Sequence, residues 1–359
     1  MCNHCVPAID PAAAEVFGQK MLEVLNGGAL SLMISLGHRT GLFDAMHGME
    51  PATSSGIAER AGLNERYVRE WLGAMVTGGI VLYDAPTRMY RLPAEHGEFL
   101  ARNGASHMAG SLQFFAVLAG VEDRIVDCFR EGGGVHYTEF PRFHEVMAEE
   151  SAVTVAGALE EFVLPLEPGL IEQLAGGMDV LDVGCGSGLA MITLAERFPA
   201  SRFLGIDFSE EAIGRARAEA ARRGLRNVTF EIGDAARIDR PAQFDLVTAF
   251  DAIHDQRDPA AVLRQIREAL RPGGLFLMQD IAASSQLENN MERPMAPFLF
   301  AISTMHCMTV SLAAGGAGLG TCWGEELALQ MLGEAGFGQS RMESLPHDIM
   351  NSWYLSRAV

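Results

Sequence analysis

Three clusters of residue types in this chain could do chemistry. The first is Val180-Leu181-Asp182-Val183-Gly184-Cys185-Gly186-Ser187-Gly188, with Asp207 nineteen residues beyond its last glycine. Residues 180–183 read as a short buried strand. The alternating glycines then make a turn without Cβ atoms, which lets a ligand approach the backbone closely. A helix from Leu189 aims its free N–H groups at that ligand. Asp207 ends the next apolar run, where a carboxylate suits a ribose with two free hydroxyls. The glycine spacing alone is ambiguous, but it differs from the dinucleotide pattern G-x-G-x-x-G. Asp182 repels a pyrophosphate and welcomes a cation. The second cluster is Phe250-Asp251-Ala252-Ile253-His254-Asp255. Histidine is the side chain best suited to take a proton near neutral pH; an imidazole that only orients a loop or caps a helix is the structural alternative. The third is Cys2-x-x-Cys5 with His4. Zinc prefers four ligands and no second pair has suitable spacing, so no metal is expected.

The first two clusters need a sheet to hold them. From about 177 onward, apolar runs at 178–183, 202–207, 228–232, 244–250 and 274–281 alternate with helical patterns at 189–198, 209–223 and 259–270. That alternation predicts a parallel sheet covered on both faces. The glycine run, Asp207, Gly233-Asp234-Ala235 and His254 each fall at the carboxyl end of a strand, where open sheets of this kind bind ligands. A helix at 325–335 and strands at 341–345 and 352–356 close the pattern. A long insertion, 282–324, interrupts it. It carries Met295, Phe298, Met305, His306 and Trp323, and its place after the fifth strand predicts that it lines a substrate pocket. Helices between 105 and 176, with Tyr137, Phe143 and Met147, are placed to roof the same cleft.

The N-terminal part is organised differently. Residues 12–25 predict a helix closed by Gly27-Gly28. Thr53 caps a helix through Ala61, and Asn64 caps another at 65–77 with Tyr67, Val68, Trp71, Leu72 and Met75 as its buried face. Runs at 80–83 and 89–92 around Asp84-Ala85-Pro86-Thr87 predict a hairpin. Helix, turn, helix and hairpin make a winged helix.

Asp182 within the glycine run, Asp207, Asp234 and Leu270-Arg271-Pro272-Gly273-Gly274 together resemble the class I S-adenosylmethionine (SAM) methyltransferases. The resemblance implies an α/β fold: a Rossmann-like SAM methyltransferase domain with a seven-stranded, mostly parallel sheet, preceded by an α-helical winged-helix domain. It implies SAM as cofactor and S-adenosylhomocysteine as product. Asp182, Gly184, Cys185, Gly186 and Gly188 then lie at the methionine end, and Asp207 takes the ribose. Phe208, Gly233, Asp234 and Ala235 lie about the adenine, and Phe250 completes the cofactor set. His254-Asp255, with Phe143-x-x-x-Met147-x-x-x-Ser151, resembles small-molecule O-methyltransferases with a winged-helix dimerisation domain, in which a His-Asp pair at this place supplies the base. An aromatic residue usually follows that pair; Gln256 stands here. The implied organisation is a tail and helix at 1–27, a dimerisation domain at 28–103, a helical linker and lid at 104–176, and the SAM-binding domain at 177–359. Tyr137, Phe143, Met147, Met295, Phe298, Met305, His306 and Trp323 are the implied acceptor-binding residues, and the implied assembly is a homodimer.

Composition bounds the alternatives. The 359 residues carry 46 acidic against 27 basic side chains, a formal net charge of −19. That argues against nucleic-acid or acidic-membrane partners, which need a basic surface. The winged-helix stretch itself sets Arg39, Arg60, Arg66, Arg69, Arg88 and Arg91 against eight acids. A SAM-sensing transcription regulator is therefore disfavoured. No uncharged apolar run of membrane-spanning length is read, nor a secretory signal, so a cytoplasmic protein is expected. Methyl transfer to a small molecule is the reading, with oxygen the favoured acceptor atom. Sulfur or nitrogen of a small metabolite, such as a thioether acid, needs no base and stays open.

Overall fold

The structure is a computed structural model and describes residues 9–104, 108–346 and 348–359. The chain divides into two compact units, 1–116 and 117–359. Cys2, His4 and Cys5 lie outside the described residues.

In the first unit, Asp10 caps a 29-residue helix, Pro11–Arg39, through the N–H groups of Ala12 and Ala13. The helix runs straight through Gly27-Gly28, contrary to the expected stop there. Neither glycine has a positive φ, and nothing that ends a helix follows them; the break comes at Gly41, whose φ is +72°. Thr53 and Asn64 cap helices Ser54–Ala61 and Glu65–Thr77 as the sequence predicts. Val68, Trp71, Leu72 and Met75 are buried with Leu42, Phe43 and Ile57. Tyr67 is instead 81% exposed, one position off the buried stripe. A short antiparallel pair, β1 (Leu82–Asp84) and β2 (Met89–Arg91), completes the winged helix.

The second unit is built on a seven-stranded sheet of β3 (Asp179–Val183), β4 (Arg202–Asp207), β5 (Val228–Ile232), β6 (Phe244–Phe250), β7 (Leu270–Ile281), β8 (Phe337–Leu345) and β9 (Asp348–Ala358). Their spatial order is β5-β4-β3-β6-β7-β9-β8. Only β9 runs against the rest. Successive apolar residues feed opposite faces. Val180, Leu246, Leu275 and Leu277 pack with Leu174, Met191 and Ile213 on one side. Leu181, Val247, Phe276 and Met278 pack with Val262 and Ala328 on the other. The chain leaves β3 towards β4 and later returns to β3's other side as β6, so the order reverses between β3 and β6. A crevice opens at such a reversal, outside the carboxyl ends of the strands. The glycine run follows β3 there and the His254 loop follows β6.

The insertion folds as helix Ala296–Ile302, a π-helical turn Ser303–Cys307 and helix Met308–Ala313. Residues 296–313 are long and apolar enough to cross a membrane by length and composition alone. Here they bury Ser303, His306, Thr309 and Ser311, polar side chains that face protein. The stretch 134–143 crosses this insertion. Val135 N–H donates to Thr309 Oγ1 at 2.9 Å, and a Cβ at Gly134 would lie 2.0 Å from the Thr309 carbonyl oxygen.

Candidate active site

The glycine turn is built by its own geometry. Gly184 and Gly188 have φ of +72° and +74°. A Cβ on Gly188 would lie 2.4 Å from the Phe230 ring, and one on Gly184 2.5 Å from Ala252 Cβ. The second contact means that the His254 loop abuts the glycine loop. Asp207 ties the turn to β4: its Oδ2 accepts from Gly186 N–H at 2.9 Å and its Oδ1 from Ser209 N–H at 2.8 Å. Gly233 N–H donates to the Asp207 carbonyl at 3.0 Å. Asp234 is exposed and caps its own turn through Ala236 N–H. Ala235 is buried, while Phe208 stands 62% exposed beside Asp207. Phe250 is half-buried and edge-on to Trp353. Cys185 is half-buried, and burial pushes its thiol pKa up.

Asp182 lies below this turn, 2% exposed. Its Oδ1 accepts from the Thr248 hydroxyl at 2.6 Å, across the β3–β6 pair. Burial raises its pKa to about 7, against the Thr248 hydrogen bond. A buried carboxyl poised near neutrality is tuned to respond to a cation.

His254 is enclosed by carboxylates. Its Nδ1 lies 2.7 Å from Asp280 Oδ1 and its Nε2 3.3 Å from Asp255 Oδ1, with Asp251 Oδ1 3.8 Å from Nδ1. Burial alone would lower its pKa; Asp280 and Asp255 outweigh burial and hold it well above 6.5. The acid bonded to Nδ1 is Asp280, while Asp255 faces Nε2. Asp280 is fully buried at the end of β7. Its Oδ1 also accepts from Ile281 N–H and from the Trp323 indole N–H at 2.9 Å. Trp323 therefore braces the acid from within the core and does not line an acceptor pocket as expected. A lone acid in the apolar run Leu275-Phe276-Leu277-Met278-Gln279-Asp280-Ile281 was the signal for Asp280. Asp251 has φ +54°, a strained value for a non-glycine, and is pinned by its N–H to the Gln279 carbonyl. Burial raises its pKa to about 7.

An aromatic cage stands over this cluster. Tyr137 touches Phe143, His144, Phe208 and His306, with centroids 4.7–5.8 Å apart. His306 stacks on Phe143 at 3.5 Å and 9°. Burial holds the Tyr137 hydroxyl pKa up and the His306 pKa well below 6.5, so both are neutral. Met147 and Met305 are half-buried on the helix and the π-helical turn that carry Phe143 and His306. Met295 and Phe298 pack elsewhere, against Ile281, Ala283 and Leu299. An open depression of about 360 Å³ between Arg257–Ala260 and Gly315–Ala317 holds none of these groups.

Residues 174–336 match the family model "Methyltransferase domain", and residues 28–102 match the "Rv2258c-like winged HTH domain". The chain carries a methyltransferase domain behind a winged helix-turn-helix domain. The fold is that of SAM-dependent methyltransferases. A putative O-methyltransferase from Nostoc punctiforme superposes with a TM-score of 0.70 at 22% identity, covering 98% of this chain and 99% of that one. Human N-acetylserotonin methyltransferase in complex with SAM gives 0.68 at 15% identity, covering 98% and 99%. These likenesses establish the fold. In sequence, the ubiquinone biosynthesis O-methyltransferase of Leptothrix cholodnii is 32% identical over 122 residues, 33% of this chain and 51% of that protein. The nocamycin O-methyltransferase of Saccharothrix syringae is 39% identical over 118 residues, 32% and 42%. The chain spans about half the length of the curated relatives it matches.

Proposed function

We propose that this chain is a SAM-dependent methyltransferase that transfers a methyl group to the oxygen of a small-molecule acceptor. The observation that carries the reading is the abutment of two loops at the β3–β6 reversal, one made of glycines and the other presenting a carboxylate-held histidine. In this reading the SAM ribose sits at Asp207, the adenine between Phe208 and the Gly233-Asp234-Ala235 turn, and the methionine end above Asp182. SAM supplies an electrophilic methyl on a sulfonium. The acceptor hydroxyl approaches His254 Nε2 beside Asp255, under Tyr137, Phe143 and His306. Asp280 fixes the imidazole through Nδ1, so that Nε2 takes the acceptor proton as the new bond forms. The sulfonium charge disappears during transfer, so alignment in a water-poor cage does much of the work.

The test is calorimetric titration with SAM and S-adenosylhomocysteine, followed by methyl-labelled SAM with phenols, hydroxy acids and thioethers. One site per chain and label on a hydroxyl are expected. No binding by the folded protein rejects the reading; label only on sulfur or nitrogen rejects the base role of His254.

The assembly proposed is a homodimer in the cytoplasm. The helix Pro11–Arg39 exposes Val16, Phe17, Met21, Leu22, Val24 and Leu25, an apolar stretch that water alone does not favour. Sedimentation of Phe17→Asp should show a monomer where the unmodified chain shows a dimer; a monomer in both removes the proposal.

A further inference from the structure

The cluster under the aromatic cage contains more ligating chemistry than proton transfer needs. His254, Asp255 and Cys307 each offer one donor atom, and these atoms lie within 4.8 Å of one another. Nothing in the base mechanism uses Cys307, a buried thiol on the π-helical turn of the insertion. Several polar atoms here are left without partners. Asp255 Oδ1 and Asp280 Oδ2 are buried with no hydrogen bond, and so are both ring nitrogens of the fully buried His306. His306 Nδ1 lies 3.9 Å from Asp255 Oδ2. Leaving a buried carboxylate oxygen such as Asp255 Oδ1 unsatisfied costs on the order of 1–3 kcal/mol, which a bound cation would relieve.

We propose that His254 Nε2, Asp255 Oδ1 and Cys307 Sγ form a binding site for a thiophilic divalent metal ion of the zinc type, with one coordination position open towards the cage. The spacing fits. A tetrahedral ion with metal–ligand bonds of about 2.0 Å sets adjacent N and O ligands about 3.3 Å apart, the separation found between Nε2 and Oδ1. The sulfur lies within 4.8 Å of the other two donors, and a bond length of about 2.3 Å sets it about 3.5 Å from them, which a rotation of the Cys307 side chain supplies. The outer shell fits as well. A metal-bound histidine commonly holds a carboxylate on its other ring nitrogen, and Asp280 occupies that place on Nδ1. Binding is a ligand exchange: the thiol proton, and the Nε2 proton of the charged imidazole, leave to solvent as the sulfur–metal and nitrogen–metal bonds form, water leaves the ion, and no oxidation is involved. The ion and the acceptor proton compete for the same nitrogen, so zinc occupancy withdraws His254 from catalysis and switches the enzyme off reversibly. That consequence rests on the proposed function; the binding itself does not.

The test uses the full chain, stripped with a chelator and titrated with Co(II). One equivalent should give a thiolate-to-cobalt charge-transfer band together with intense tetrahedral d–d bands. The charge-transfer band should vanish in Cys307→Ser and survive in the double variant Cys2→Ser, Cys5→Ser. Asp280→Asn should weaken zinc binding by about 10–100-fold through the outer shell. SAM titration of each variant reports whether it is folded. An unmodified protein that binds SAM but gives no such band overturns the metal site alone. A band that persists in Cys307→Ser also overturns it, by placing the thiolate elsewhere. Loss of SAM binding in the unmodified protein overturns the proposed function instead.

Discussion

The glycine-loop half and the histidine half of the crevice are built on opposite principles. Around the glycine loop, polar groups are paired: Asp207 accepts from Gly186 and Ser209, and Asp182 from Thr248. Around His254 the neighbours come from three segments, the loop after β6, the end of β7 and the insertion. There, carboxylates crowd one imidazole and several buried atoms have no partner. A loop whose hydrogen bonds are already made presents a fixed surface to a ligand that does not vary. A cluster held under electrostatic tension has its unused bonding capacity available for the reacting partner. One fold thus keeps the cofactor side rigid and leaves the acceptor side adjustable.

The strongest way to break this comparison is His254→Ala. With the acceptor found in the label screen, turnover should fall by about 10²–10⁴-fold, as for removal of a general base, while SAM affinity is kept. The rate of the unmodified enzyme should also rise with pH above neutrality. The flanking carboxylates raise the His254 pKa, and only the neutral imidazole accepts a proton. A flat pH profile together with unchanged turnover would leave His254 a structural residue. Gly188→Val attacks the other half. It places a β-branched side chain at φ +74° and against Phe230, and should cost about 2–4 kcal/mol in denaturant unfolding, with SAM binding weakened. Unchanged stability would show that the turn adapts and is not a fixed surface.

Trp323→Phe sharpens the division between the halves. It removes one hydrogen bond to a buried carboxylate, worth about 1.5–3 kcal/mol. Turnover should drop about tenfold or more, through a less well held Asp280, with acceptor KM and SAM affinity little changed. A change in KM alone would return Trp323 to the acceptor pocket.

What the sequence made legible follows the same line. β4, β5 and β6 appear with the bounds expected, because each is a short, mainly apolar segment set off by polar or glycine-containing turns. Thr53 and Asn64 cap their helices because local side-chain-to-backbone bonds need no tertiary partner. The misses are residues whose role is set by something distant. Asp280 is bound to His254, 26 residues away, and Trp323 to Asp280, 43 residues away. No local period encodes either contact. Cys307 looks like a member of an apolar helix, and it lies on the π-helical turn beside Asp255. Gly27-Gly28 misled in the opposite direction, because two glycines signal a stop only where the backbone takes a positive φ.

Asp182 gives the smallest and most discriminating effect. In the free protein its carboxyl, pushed to about 7 by burial, is protonated in mild acid. SAM brings a sulfonium and an ammonium, which favour the carboxylate and lower its pKa in the complex. Binding therefore releases a proton between the two values. Linkage then makes affinity weaken as pH falls below 7, by up to about tenfold per unit, and level off above it. Calorimetry from roughly pH 5.5 to 8, in buffers of different ionisation enthalpy, reads both the slope and the proton released. Asp182→Asn should abolish the slope while leaving the turn intact, since an amide oxygen still accepts from Thr248. A slope that survives the substitution would assign the titration to another group. The buried carboxyl beneath the glycine loop would then be one more fixed hydrogen bond, and the cofactor side would be rigid throughout.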